Sequence, residues 1–559
     1  MNENYVIGAD FGSDSVRVLV VDAATGKTAG EAASAYPRWQ QGLYQDAARR
    51  MFRQHPLDYI EAFETAVKAA LNSAGDRVRK NVRALSIDAT GSTPCPVTQD
   101  GTPLALLAEF AQDPNAMFQL WKDHTAIDEA KEIDTVFSGR GKVPGGEDYT
   151  RFQGTYCSEW FWAKILHTVR TDARIRSAAY TWSEHCDWFP AMLAGNTRPE
   201  TMYRCACAAG HKALWHSAWG GLPDAERLGE LDPYLVQVRR RYGTGPRPCD
   251  AKVGTLTAEW AARLGLSADV IVGGSSFDAH AGAVGAGVCR GTMVLNVGTS
   301  AVNMLVERAD VLRGKDIVRA CGQAENSILP GLVGVETSQA SFGDVYAWLR
   351  RLLLWPLQQA KLLSGEDAAE NTQLQTRAER GILPALERAA ASLPLEDAVT
   401  ALDWFNGRRY PDTNELVKSA VCGLGLDTTA PALYQALVLA TAFGQKRIVQ
   451  TLRDAGVRID RIVAVGGIAQ KSPYVMQTLC DVLGCETQVS RSAQACARGA
   501  AMYAAAAAGL YPNVEAAQQA LCEGVAGVYT PIPTRTAACE RLYERYCRLG
   551  AFAEELSGV

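Results

Sequence analysis

One unit that occurs twice constrains this chain more than any other feature. YVIGAD, at residues 5–10, is a short apolar run followed by the small polar turn FGSDS and a second apolar run, VRVLVVD, at residues 16–22. TMVLNVGTSAVNMLV, from Thr292 to Val306, repeats the arrangement around Gly298, Thr299 and Ser300. Two apolar runs joined by such a turn read as a β-hairpin. Their lack of apolar–polar alternation predicts strands covered on both faces, as in a layered α/β domain. VRALSID (82–88), the run from Val270 into GGSSFDAH, and RIVAVGGIA (461–469) are further strands that run into small residues. Apolar positions recur at helical spacing over 58–71, 123–133, 158–169 and 185–193, with Asp58 placed to cap the first.

A chain of 559 residues is too long for one hydrophobic core. The duplicated unit therefore predicts two related α/β domains facing each other across a cleft. We expect a first domain over 1–265 and a second over 266–511. A mainly helical insertion is expected near 345–400, and a helical tail over 512–559. The alanine-rich stretch at 497–510 is too short to span a membrane and reads as a helix packed closely against a sheet.

Several function classes are disfavoured. A net charge of -5 gives no general basic surface for nucleic acid, and Arg239–Arg241 reads as a solvated segment. The 15 cysteines are scattered; Cys205/Cys207 and Cys480/Cys485 lack the paired spacing of a zinc site. With no secretory pattern at the start, a reducing cytoplasmic setting is expected, without a membrane partner. Gly26–Lys27–Thr28 and Gly141–Lys142 resemble the end of a phosphate-binding P-loop, but Val21 stands where the first loop needs glycine and Val143 follows the second.

Phosphate can be held without a P-loop, by consecutive backbone N–H groups in tight turns of small residues. Gly12–Ser13 and Gly298–Thr299–Ser300 have that character, and Gly466–Gly467 could pass beside an adenosine face. Asp10 closes the first strand and Asp278 follows the strand begun at Val270. Carboxylates at such exits suit magnesium and hydroxyl activation. For Asp278 a plain helix cap before AHAGAVGAG explains the residue equally well. LWKDHTA (120–126) and AGHKALWH (209–216) mix aromatic and polar side chains as sugar sites do, though Trp121 and Trp215 could be core aromatics and Lys122 and Lys212 surface charges.

These segments occur in a fixed order with others: DFGSDSVR, YPRWQ, FRQHPLDYIE, TGSTP, PNAMFQLWKDHTA, SEWFWAKILH, AGHKALWHSAWGGLP, FDAHAGAVGAG, GTSAVNML, FGDVYAWLRR, LDWFNGRR, ATAFG and GGIAQK. As an ordered set running almost from end to end, they resemble the FGGY carbohydrate kinase family, and within it the members that act on ribulose. The resemblance implies two RNase H-like, actin-like ATPase domains with an interdomain catalytic cleft, the first on the sugar side and the second on the nucleotide side. It implies ATP and Mg2+, transfer of phosphate to the 5-hydroxyl of ribulose in arabinose catabolism, and admits a homodimer. On this reading Asp278 is the base, and with Asp10 it helps hold magnesium. Lys212, Glu336, Gly91, Trp121 and Lys122, with His124, contact the sugar or complete its wall. Gly12, Ser13, Gly298, Thr299 and Ser300 cradle phosphate, and Gly466 and Gly467 border adenosine. Ala89 and Ser472 stand where close relatives often carry Ser and Asn.

Overall fold

A computed structural model describes residues 3–138, 146–243, 245–359, 368–396 and 398–558. Gly141–Lys142 lies outside the described residues. The first sheet contains β1 (Tyr5–Phe11), β2 (Ser15–Asp22), β3 (Thr28–Ala35), β4 (Val82–Ala89), β5 (Lys252–Thr255) and β6 (Ile271–Phe277), in the order β5-β6-β4-β1-β2-β3. The second contains β7 (Gly291–Val297), β8 (Ala301–Glu307), β9 (Gly322–Glu325), β10 (Val333–Gln339), β11 (Ile459–Val465), β12 (Glu486–Ser490) and β13 (Val525–Tyr529), in the order β9-β10-β8-β7-β11-β12-β13.

Both expected hairpins form: β1 pairs antiparallel with β2, and β7 with β8. Each sheet then continues in parallel. β1 is followed by β4 and β6, and β7 by β11 and β12. An antiparallel edge strand ends each series, β5 in one sheet and β13 in the other. The weak repeat in the sequence is thus a repeat of topology.

Two expected boundaries change. β6 pairs with β4 inside the first sheet, so the chain passes from one sheet to the other after Phe277 rather than near residue 265. The run from Val270 looked like the opening of a second unit because it leads into a glycine-rich stretch; its hydrogen bonds make it the last parallel strand of the first. The tail over 512–559 is not wholly helical either. It contains β13, a half-exposed edge strand whose short run VAGVY carries little apolar signal. The region near 345–400 does contain long helices over Gly343–Gln358 and Ala368–Ala390.

The helices that bear on the site are α1 (Pro56–Ala74), α2 (Phe161–Thr171), α3 (Ala206–Ala213), α4 (Asp278–Gly285), α5 (Gly343–Gln358) and α6 (Ala495–Ala507). α1 is capped by His55, whose ring accepts the Leu57 N–H; Asp58, the expected cap, instead receives the N–H groups of Arg38 and Trp39. α6 is the alanine-rich segment, and it does pack against a sheet, the first one. A side chain at Gly8 of β1 would place its Cβ 1.8 Å from the Ala497 carbonyl oxygen.

α4 follows the last parallel strand of the first sheet, and α6 follows the last parallel strand of the second. The two cross with almost no side chain between them. A Cβ at Gly499 would lie 1.9 Å from the Ala281 carbonyl oxygen, and one at Gly285 would lie 2.0 Å from that of Ala495. One apolar cluster joins this crossing to both sheets: Val6, Leu19 and Ala84 from the first, Ala281 and Val284 from α4, Ala497 and Ala501 from α6, and Val294, Met304 and Val463 from the second. No helix among the described residues is long and apolar enough to cross a membrane.

Because both contacts at the crossing are to backbone, an added methyl can be accommodated only by moving a helix. Gly499→Ala is expected to lower stability by about 1–3 kcal/mol, the usual cost of overpacking. A thermal unfolding midpoint equal to that of the parent chain would contradict this account of the crossing.

Candidate active site

The parallel strands of the two sheets end around one cleft. Asp10 is the penultimate residue of β1 and Asp88 that of β4, and the two are direct cross-strand partners. On the other side of Asp88 its partner is Ser276 of β6, and Asp278 follows two residues later as the first residue of α4. Three carboxylates are therefore brought together by the register of adjacent parallel strands. Asp10 is buried and receives Arg17 Nη1 at 3.0 Å. Asp88 is fully enclosed, and no donor among the described residues reaches either of its oxygens.

Burial, and then the charges of Asp10 and Asp278, push Asp88 well above the ordinary carboxylate range. Burial also raises Asp10, against the pull of Arg17. Asp278 is pushed from its ordinary value of 3.8 to about 7, by burial first and the Asp10 charge second. Its Oδ1 accepts the Ala279 N–H at 2.7 Å. The plain helix-cap expectation for Asp278 is not met: Phe277 occupies the cap position of α4 and no side chain caps it, while Asp278 is the first helical residue and lines the cavity.

That cavity has a volume of about 350 Å³. It brings together Gly91, Trp121, Lys212, Asp278, Glu336, Gly298, Thr299 and Ser300. The Lys212 ammonium, at the end of α3, lies 3.4 and 3.5 Å from the two Glu336 oxygens. It also stands over the Trp160 and Phe277 rings, 5.2 and 5.8 Å from their centroids. Burial works against ionisation of Glu336, but Lys212, His211 and His280 outweigh it and hold the carboxyl down to about 2.

The walls are fixed from behind. Lys164 of α2 is buried and donates to the carbonyls of Ser92, Gln119 and Leu120, at 2.7, 3.1 and 2.9 Å. It therefore ties the loop bearing Gly91 to the loop bearing Trp121. Glu184 accepts Ser92 Oγ at 2.7 Å and the Thr93 N–H at 2.6 Å, holding the first loop from the other side.

The Gly298–Ser300 turn is held by the start of α5. The Gly343 N–H donates to the Gly298 carbonyl, and Phe342 and Asp344 both donate to that of Thr299. Gly466 is adjacent, with φ +103; a Cβ there would lie 2.5 Å from the Val297 carbonyl oxygen, while Gly467 faces open space. Ser13 is reached through Trp121, whose indole N–H donates to its Oγ at 2.9 Å, and the Gly12 carbonyl accepts the Tyr36 hydroxyl at 3.1 Å. Gly12, Ser13, Asp10, Gly466 and Gly467 border the cleft without being among the residues that line the cavity.

Lys122 is not brought to the cavity. Its ammonium lies over the Trp39 and Phe52 rings, 4.9 and 4.8 Å from their centroids, which corrects its expected place in the sugar wall. His124 stands one residue behind the wall, with Nε2 3.5 Å from Glu159. Glu159, Trp160, His280, Asn296 and Arg409 line the cavity and were not singled out from the sequence. Arg409 Nη2 is 3.3 Å from Glu159, an ion pair between segments 250 residues apart. Ser472 caps the helix Pro473–Leu483 and donates to Glu387 at 3.0 Å, a structural use that accounts for its being Ser.

Residues 293–508 match the model of the FGGY family of carbohydrate kinases, C-terminal domain. A ribulokinase of Vibrio parahaemolyticus is 41% identical over 558 residues, covering 100% of this chain and 97% of that one. The chain belongs to the FGGY family of carbohydrate kinases. A ribulokinase of Geobacillus thermodenitrificans is 34% identical, covering 98% of this FGGY kinase and 94% of its own length. Among solved structures, xylulose kinase from Rhodospirillum rubrum shares the fold at a TM-score of 0.78 and 21% identity, each chain being covered in full. Glycerol kinase from Plasmodium falciparum with ADP does so at 0.75 and 14% identity, covering 98% of each chain. The α/β fold of this FGGY kinase is therefore the one seen in these xylulose and glycerol kinases.

The raised Asp278 carboxyl carries a stability consequence. The folded chain favours its protonated form, whereas in the unfolded chain it ionises near pH 4. Asp278 therefore costs stability increasingly as pH rises from about 4 to about 7. Asp278→Asn is expected to raise the unfolding midpoint of the ligand-free protein at pH 8, with the gain shrinking toward pH 4. A variant less stable than the parent at pH 8 would contradict this.

Proposed function

We propose that this FGGY kinase transfers the γ-phosphoryl group of ATP to the 5-hydroxyl of ribulose, giving ribulose 5-phosphate in arabinose catabolism. The observation that carries this reading is the single cavity on which Asp278, Lys212, Glu336 and Gly91 meet the Gly298–Ser300 turn. The end-to-end similarity to proteins named ribulokinase supports the choice of sugar.

Asp278 is the base. Its carboxylate orients the hydroxyl and accepts its proton as the new O–P bond forms. Glu336, held ionised, accepts hydrogen bonds from sugar hydroxyls, and Lys212 donates to sugar oxygens from the same edge. Trp121 supplies a flat apolar face. Gly91 lets the sugar approach its backbone, since among the described residues, its chain neighbours aside, no atom lies within 4 Å of where its Cβ would be.

The Gly298–Thr299–Ser300 and Gly12–Ser13 turns receive the phosphates, and Gly466–Gly467 border the adenosine. The all-oxygen set of Asp10, Asp88 and Asp278, with no donor among the described residues to either Asp88 oxygen, fits magnesium, which favours few carboxylates and retained water. Magnesium at this set would offset phosphate charge and favour ionised Asp278. Most of the rate then comes from positioning and charge neutralisation.

We also infer that each half is an RNase H-like unit, on the repeated order of an antiparallel hairpin followed by parallel strands. The division between them is placed between Phe277 and Gly291.

Asp278→Asn is expected to lower ribulose-dependent ADP release by about 10²–10⁴-fold, the usual worth of a general base, while nucleotide binding is retained. Turnover within about threefold of the parent enzyme would remove the role. Lys212→Ala is expected to reduce kcat/KM for ribulose by at least about tenfold, about 1.4 kcal/mol of lost transition-state binding. An unchanged kcat/KM would count against its contact with the sugar.

A further inference from the structure

Beside Glu336 lies a group of soft and borderline metal ligands that phosphoryl transfer does not require. Cys207 and His211 are spaced i, i+4 on α3, so both face the same side of that helix. His280, on α4, faces them across the junction of the two sheets; the His211 and His280 ring centroids are 4.9 Å apart. The three residues are buried, and their ligand atoms all lie within 4.8 Å of one another. Glu336 closes the fourth side, with Oε2 3.6 Å from His280 Nε2 and 3.9 Å from His211 Nδ1.

The hydrogen bonding at this place is incomplete. Among the described residues neither ring nitrogen of His280 has a hydrogen-bond partner, although the residue is buried. His211 places Nδ1 3.2 Å from Gln153 Oε1 and Nε2 3.1 Å from Ser327 Oγ. If Nδ1 turns to a metal, the Ser327 contact at Nε2 remains as the orienting bond that ligating histidines usually keep. Both imidazoles are buried, which disfavours their charged form. A neutral imidazole is the ligating form.

We propose that Cys207, His211, His280 and Glu336 form a second metal site, selective for a thiophilic divalent ion such as Zn2+, and that filling it withdraws Glu336 from the sugar cavity and inhibits the kinase. One thiolate, two imidazoles and one carboxylate make a four-coordinate set that suits Zn2+ and not Mg2+. The Cys207, His211 and His280 ligand atoms must draw in by about 1 Å to reach tetrahedral zinc distances, and Glu336, now against the two imidazoles, must turn toward them. The sugar cavity, lined by both His280 and Glu336, supplies the entry path. Lys212 opposes occupation, because it must release Glu336; this limits affinity and couples metal binding to the sugar site. Binding converts the Cys207 thiol to thiolate and releases its proton to solvent, so affinity rises by about tenfold per pH unit. The binding half of the proposal is independent of the sugar assignment, whereas the inhibition half rests on it.

The test uses the full-length protein and Co2+ as a spectroscopic stand-in for Zn2+. One equivalent of Co2+, added without nucleotide, is expected to produce a thiolate-to-metal charge-transfer band. That band should be absent in Cys207→Ala and in Cys207→Ser, and ribulose should displace the metal from the parent enzyme. With excess Mg-ATP, Zn2+ should inhibit competitively against ribulose. Cys207→Ala should be at least about tenfold less sensitive, with kcat/KM for ribulose kept within about threefold. X-ray absorption on the Zn2+-loaded parent protein should show one sulfur and three nitrogen or oxygen neighbours, which tests the site even if a variant folds poorly. A band that persists in both Cys207 variants would assign the metal to an exposed thiol such as Cys422 or Cys547 and overturn the site. A metal that binds at Cys207 but leaves ribulose affinity unchanged would overturn the inhibition. Absence of ribulose turnover in the parent enzyme would sink the sugar assignment while the band still decides the site.

Discussion

Helices α4 and α6 cross with backbone against backbone, and the geometry of the cleft depends on that contact. Each helix follows the last parallel strand of one sheet. At the crossing, glycine on each helix meets a carbonyl of the other. Close packing of this kind leaves little room for independent sliding, since interiors are dense and respond to even a methyl. Asp278 is the first residue of α4, and the Gly298–Ser300 turn lies at the tip of the hairpin that opens the second sheet. The small-residue crossing therefore fixes the Asp278 carboxylate of one half relative to the Gly298–Ser300 turn of the other.

Within that frame the site separates its carboxylates by environment. Asp278 shares an enclosed corner with Asp10 and Asp88, where burial and like charge favour the protonated form. Glu336 lies in the same cavity beside Lys212 and two imidazoles, which favour the ionised form. Opposite displacements of two acids in one cavity are what a division between a proton acceptor and a binding anion requires. The buried cation of Lys164 does comparable work without touching the cavity. It satisfies three carbonyls of loops that would otherwise be free to separate.

Much of this was legible in the sequence, for physical reasons. Strands buried on both faces leave continuous apolar runs, and turns that admit close approach leave glycine and serine, so both hairpins and the Gly298–Ser300 turn were visible. Asp10 and Asp278 stood out as charges at strand exits. Asp88 carries the same signal, a carboxylate at the end of an apolar strand, and could have been found by applying that rule to VRALSID as well. Glu159 and Arg409 could not, because their meeting depends on a contact between segments 250 residues apart that have no shared periodicity. Lys122 was misplaced because adjacency to Trp121 says nothing about direction: the indole reaches Ser13 while the ammonium lies on Trp39 and Phe52. β6 was assigned to the wrong half because strand pairing is a long-range property, and its local sequence resembles the opening of a new unit.

The central claim is that one cavity, built by two halves of the chain, holds a ketopentose with its terminal hydroxyl toward Asp278. Coupled ADP release measured over a panel of ketopentoses and polyols, with phosphorus NMR of the product, tests it most directly. Ribulose is expected to give the highest kcat/KM, with the phosphate on O5 and negligible ADP release without sugar. Equal ADP release in the absence of sugar, or a product phosphorylated at another hydroxyl, would contradict it.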